Sequence, residues 1–423
     1  MRRIVEANPR QEVRRDWFKA ALLTVVYASQ GIAPGFAAFA MPVLLRKQGV
    51  QLWVLGLTLL LLLPVSLKFV FGPWSDRLAA RGRLREWMGG LQIALAAAFA
   101  SLVVLSPARG VLPFLVVVGA MYVIVAVLDT VTDSVTVRLL TPEERPLGNA
   151  AQFGGYYAGS ILAGGLFLLV EPKIGWGPAI SILVLLVAAG WAAGRLLPAV
   201  AAGEAAAAGA ERASVLRFVR GPVIRYVIPL LLLLDLPQNI GIALVGPFLF
   251  DNGLNQWQVG LVSGTLGLLA AFLGAAIGGA ALAWLPRIHA VVLAALLQAL
   301  PMFGFAWLAM NKGLPLWAPI AVTTLAYGLA ALFNVAISSW FMDQVSPAQP
   351  STDYTLMACA HTLSYTLATP IAGASAQLLG FRNHFAAVGA VAVLLVLVSW
   401  PWLRRLARPV YAPVVPAALA VAE

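Results

Sequence analysis

Twelve stretches of roughly 20 or more mostly apolar residues follow one another along this chain, at 17–43, 52–75, 86–106, 111–139, 147–170, 176–198, 222–250, 256–284, 288–310, 315–343, 352–379 and 384–403. A segment of that length sits in hydrocarbon only if its own structure satisfies every backbone N–H and C=O, which selects the helix. Composition agrees: 61% of the 423 residues are hydrophobic and 11% charged, with mean hydropathy +0.89, far from the balance of a soluble domain. The sequence therefore predicts an all-α membrane protein of twelve transmembrane helices. The charged stretch Met1–Asp16 precedes an apolar run longer than a signal peptide's core and without a small-residue cleavage site, so that run is expected to remain as the first span.

The net charge of +11 would suit nucleic acid, but its distribution reads as topology. With the N-terminus inside, only Arg46, Lys47, Arg109, Lys173, Lys312 and Arg382 fall in outside loops and Lys68 within a span; every other Lys and Arg is inside. A bacterial inner membrane protein with both termini cytoplasmic is expected, with no nucleic-acid partner. The single cysteine, Cys359, excludes a disulfide framework, and no Cys/His spacing suits a metal. Neither a nucleophile elbow, nor His-Glu-x-x-His, nor a phosphate-cradling Gly-x-x-x-x-Gly-Lys-Ser/Thr occurs. No enzyme, no cofactor and no ATP use is expected, which leaves ion coupling.

Shifting the chain by 205 residues lays Tyr122 on Tyr327, Asp129 on Asn334, Pro142 on Pro347 and Gln30 on Asp235. Pro42 likewise falls on Pro247, and after a one-residue slip Gly49, Trp53 and Gly56 are answered by Gly253, Trp257 and Gly260. Six spans repeated in the same orientation resemble the major facilitator arrangement, with substrate bound between halves near the midplane. The halves are expected at 1–198 and 217–423, joined by a cytoplasmic Ala- and Gly-rich linker at 199–216.

Asp129 and Asp133 lie four residues apart in one of the most apolar runs, on one helix face, at a cost of a few kcal/mol each. Counted at ~1.5 Å per residue, Lys68 lies about 12 Å inside the cytoplasmic boundary, Asp133 about 9 Å and Asp129 about 15 Å. At overlapping depths, Lys68 can neutralise one carboxylate and leave the other, Asp129 or alternatively Asp133, to carry a proton. A buried ion pair fixing spans two and four is the other reading. The first span is interrupted by Gln30-Gly31-Ile-Ala-Pro34-Gly35, and its repeat by Asp235-Leu-Pro237-Gln238-Asn239-Ile-Gly241. Pro and Gly at matching places point to the binding region, with Gln30, Asp235, Gln238 and Asn239 as substrate contacts or as partners of freed backbone groups. Gln152, Tyr156 and Tyr157, Asn334, His361 and Tyr365 are further substrate candidates; His361 is alternatively a hydrogen-bonded packing residue. Gly154, Gly155, Gly159, Gly164 and Gly165 form a small-residue face for close helix contact.

Gly72-Pro-Trp-Ser-Asp76-Arg77, read as a loop between spans two and three, resembles the major facilitator signature Gly-x-x-x-Asp-Arg, one residue out of register with its basic tail. The resemblance implies that Asp76, with Gly72 and Arg77, caps a helix N-terminus and latches the cytoplasmic side. Pro64-x-x-x-Lys68-Phe69-x-x-x-Pro73-x-x-Asp76-Arg77, Asp129-x-x-x-Asp133, Arg138-Leu-Leu-x-Pro-Glu-Glu-Arg145 and Gly155-Tyr156 together resemble the AmpG branch of that superfamily, which includes muropeptide permeases, acetyl-coenzyme A transporters and the RhtX/FptX siderophore importers. Leu147 to Tyr156, the compact length and Tyr157, where the permeases commonly have Arg or Lys, look more like the siderophore importers. The resemblance implies a monomeric, proton-coupled importer of a ferric siderophore from periplasm to cytoplasm; an importer of muropeptide or another small metabolite ranks second, and a non-transporting sensor third.

Overall fold

The computed structural model describes residues 9–140, 145–198, 220–281, 284–345 and 350–405, and all regular elements among them are helical. The spans are α1 Trp17–Lys47, α2 Leu52–Phe71, α3 Leu84–Leu102, α4 Val111–Leu139, α5 Ala151–Ile174, α6 Trp176–Leu196, α7 Val223–Asp251, α8 Gln256–Ala281, α9 Arg287–Met310 and α10 Trp317–Asp343. The helical run Pro350–Arg405 has 56 residues, or ~84 Å of helix against ~30 Å of hydrocarbon. It is divided at Gly380, whose φ of 72° a residue with a Cβ rarely adopts, into α11 (350–379) and α12 (381–405). Twelve helices of membrane length result among the described residues, with ends within a few residues of those expected; α4 occupies 111–139 as read from hydropathy. Gly175, with φ 86°, likewise turns the chain from α5 into α6.

Two expectations are corrected. Gly72 to Arg77 is not loop: it forms the first turns of a short helix, Gly72–Ala80, for which Pro73 at the start is well suited because its missing N–H would have no intrahelical partner. The interruption of α1 is also not where Pro34 stands. Helix runs through Pro34 to Gly35, and the irregularity follows as a π-helical turn, Phe36–Ala40. Proline denies a carbonyl one turn back its usual donor, and a widened turn is one way for a helix to absorb the mismatch. In the repeat, Pro237 is again inside helix and the break comes later, as a turn at Ala243 and Leu244. The loop 141–144 and its repeat counterpart 346–349, the linker 199–216 and the chain ends lie outside the described residues.

The chain forms two compact units: residues 1–48, 70–208 and 256–264 in the first, and 49–69, 209–255 and 265–423 in the second. Within the first, Phe36 meets the rings of Phe99, Phe114, Phe167 and Trp176 edge-on at 5.2–6.4 Å. Apolar burial does little to bring helices together in lipid, so close packing must. Along α1 and α5 it does: a Cβ on Gly155 would strike the Thr24 carbonyl, and one on Gly159 the Ala28 carbonyl. Gly164 packs on Phe39 of α1, whereas Gly154 has nothing within 4 Å and is not part of this face. Gly165 meets the head of α8, where a Cβ on Gly260 would lie 2.8 Å from the Gly165 carbonyl.

Within the second unit, α2 crosses α11 as closely. Gly56 faces the Thr369 carbonyl and Gly373, Ser66 Oγ lies 2.9 Å from Thr366 Oγ1, and the Leu52 N–H donates to Gln377 Oε1 at 3.2 Å. At the α8 head of the first unit, Lys47 Nζ donates to Gln256 Oε1 at 3.0 Å and Gln256 Nε2 to Glu171 Oε2 at 2.7 Å. A second ring cluster, Phe248, Phe305, Phe381 and Phe385, packs the interior of the second unit.

Candidate functional site: two buried polar clusters

The glycine-lined approach of α1 to α5, with α4 beside them, lets short polar side chains meet at depth. Asp133 Oδ1 accepts from the Tyr27 hydroxyl and from Gln152 Nε2, both at 3.0 Å, and the Tyr27 oxygen is also 3.0 Å from Thr136 Oγ1. One carboxylate oxygen thus ties three helices together. Asp129, half-buried one turn away on α4, is within electrostatic reach of the same phenol. Gln30, 1% exposed, donates to Thr132 Oγ1 at 2.7 Å while its Oε1 makes no hydrogen bond.

The structure therefore brings together Asp133, Gln152 and, one residue before Asp133 on α4, the Gln30–Thr132 pair. Sequence reasoning missed Tyr27, Thr132 and Thr136. A usable signal existed for the first: Tyr27 is three residues before Gln30, on the same face of α1, and Thr136 is three after Asp133. Tyr157 is half-buried, and Tyr156 is 37% exposed with its carbonyl accepting from Ser160 Oγ at 2.9 Å. Lys68 belongs to the second unit, half-buried at the start of the 3₁₀ turn Lys68–Phe71. Gly72 opens the short helix and Arg77 is exposed on it; the side chain of Asp76 lies outside the described residues.

The second unit has a cluster where the repeat puts the counterpart of Gln30. Asp235, 1% exposed on α7, accepts from Asn239 Nδ2 through Oδ2 at 2.7 Å, and its Oδ1 is 3.3 Å from His361 Nε2 of α11. Asn239 Nδ2 also lies 3.4 Å from Ser364 Oγ. Gln238 is buried beside them with neither amide atom hydrogen-bonded. Asn334 is exposed and Tyr365 half-buried. Of the residues expected in the second half, Asp235, Asn239 and His361 are thus in one cluster.

Membrane-length helices in a repeated six-plus-six order, with carboxylates buried in polar clusters, make a multi-pass helical membrane protein with the fold of the major facilitator transporters. Solved structures agree on the fold alone: the D-xylose-proton symporter superposes with TM-score 0.69 at 13% identity, covering 91% of this chain and 97% of that one. The nucleoside transporter NupG does so with TM-score 0.70 at 13% identity, covering 91% and 98%. In sequence, the chain is homologous to the anhydromuropeptide permease of Escherichia coli (strain K12), 25% identical over 394 residues, which are 89% of this chain and 79% of the permease. No protein-family model matches it.

Proposed function

We propose that this chain is a permease that carries an anhydromuropeptide or a closely related sugar peptide from periplasm to cytoplasm across a bacterial inner membrane, by proton-coupled alternating access. The homology over 394 residues to the anhydromuropeptide permease is the observation that carries this reading. It favours what the sequence ranked second over siderophore import, which rested on Tyr157, the run Leu147 to Tyr156 and chain length. The Asp133 cluster supports proton coupling by a simple conflict. An ionised Oδ1 accepts from both Tyr27 and Gln152; a proton on that oxygen turns it into a donor, and one of the two must let go. Protonation is thereby linked to the fit of α1 and α5 against α4, with Asp129 in reach of the same change.

Lys68 stays in the proposal on its depth along α2 alone, and Gly72, Asp76 and Arg77 as a cytoplasmic latch on their motif. Gln30, Gln152, Tyr156 and Tyr157 from the first half, and Asp235, Gln238, Asn239, Asn334, His361 and Tyr365 from the second, are the proposed substrate contacts. Both termini are assigned to the cytoplasm on the distribution of basic residues. The test is uptake in cells lacking any endogenous permease. Expression of this chain should allow saturable accumulation of radiolabelled anhydromuropeptide, abolished by a protonophore; accumulation of a ferric siderophore without anhydromuropeptide uptake would sink the reading.

A further inference from the structure

The pair in α7 and α11 raises a question of charge that substrate contact does not answer. Asp235 stands twelve residues after Val223 and sixteen before Asp251, so about 18 Å and 24 Å of helix separate it from the ends of α7. An ionised carboxylate at such depth costs a few kcal/mol even on permissive scales, and more when buried and unpaired. Its near neighbours supply one hydrogen bond from a neutral amide, through Asn239, and one imidazole nitrogen at 3.3 Å. With one proton beyond that of neutral imidazole the pair has no net charge, as imidazolium with carboxylate or imidazole with carboxylic acid. Without it, the pair holds a full negative charge in the interior of the unit.

Exposure is divided unequally between the two. Asp235 keeps 2% of its side-chain surface and His361 keeps 24%, so the imidazole is the more open member of the pair. The titratable groups on surrounding helices are Lys68 of α2, two residues beyond Ser66, which meets Thr366 on α11, Tyr327 of α10, Tyr365 one turn beyond His361 on α11, and His384 of α12, which is engaged with Ser375 Oγ at 2.9 Å. Asp353 lies eight residues before His361, ~12 Å along α11, and Cys359 two before it on another face; α9 presents uncharged Met302 to Gly241. The two tyrosines and His384 bring no permanent positive charge to the pair, and Lys68 is the cation that α2 carries along α11.

We infer that Asp235 and His361 form a proton-binding pair in the second unit, loaded and emptied through the imidazole, in addition to the carboxylates of α4. Its protonation is an equilibrium of the protein itself and requires no cargo. The chain has three histidines, His289, His361 and His384, so protein labelled with ¹⁵N-histidine gives three pairs of ring-nitrogen signals, and His361→Gln identifies the relevant pair by its loss. In purified full-length protein, the His361 signal should pass between its neutral and protonated forms from pH 5 to pH 9, with a midpoint displaced by about one unit in Asp235→Asn. If that variant does not fold, Asn239→Ala, which removes the donor to Oδ2, should displace it instead. A His361 signal that keeps one form throughout, or a midpoint the same in wild type and variants, overturns the inference. Either result leaves the proposed cargo untouched, because no substrate is present.

Discussion

At the scale of single residues, Asp133 is the group whose chemistry is most exposed to test. Asp133→Asn keeps the shape and removes the charge, so accumulation driven by a pH gradient should be lost while energy-independent counterflow of labelled anhydromuropeptide persists; unchanged accumulation would refute the coupling role. Tyr27→Phe removes one donor to a charged acceptor, an interaction typically of about 1.5–3 kcal/mol, and should lower gradient-driven accumulation by about tenfold or more with counterflow retained. Both are read in proteoliposomes from the same preparation. The carboxylate was legible in sequence because charge in an apolar run is conspicuous. Tyr27 was not, because an aromatic residue in a span is ordinary until the hydroxyl's partner, 106 positions away, is known. Asn334 shows the opposite limit: a repeat assigns it the place of Asp129, yet its surface is open where Asp129 is half-buried.

At the scale of helices, the boundaries were readable because lipid imposes one length and one requirement on every span. What hydropathy could not give was the local winding: a π turn after Pro34 in place of a break at it, and helix at Gly72 in place of loop. The small-residue face of α5 was foreseen as a group but not residue by residue, since only its rotation against α1 decides which glycines touch. Gly159→Leu should force α1 and α5 apart, at a cost of about 1–3 kcal/mol typical of overpacking, seen as a lower thermal midpoint and less monodisperse protein in detergent. Gly154→Ala, with nothing within 4 Å, is the control that should melt like wild type; equal losses in both would remove the special role of the α1–α5 contact.

At the scale of the molecule, the sequence repeat anticipated the architecture but not the way the compact units are composed. The first unit takes in residues 256–264 and the second takes in 49–69, so each contains a segment from the other side of the linker. Separate expression of 1–208 and 209–423 should accordingly yield fragments that are degraded alone, while co-expression restores membrane-inserted, transport-competent protein; stable, monodisperse fragments expressed singly would contradict this. The crossings behind that composition are α2 on α11 and α8 on α5, built around Gly56 in one and Gly260 in the other. Those two glycines are repeat counterparts, as are α2 with α8 and α5 with α11. The two crossings are therefore a single contact made twice, second helix of each half to fifth helix of the other.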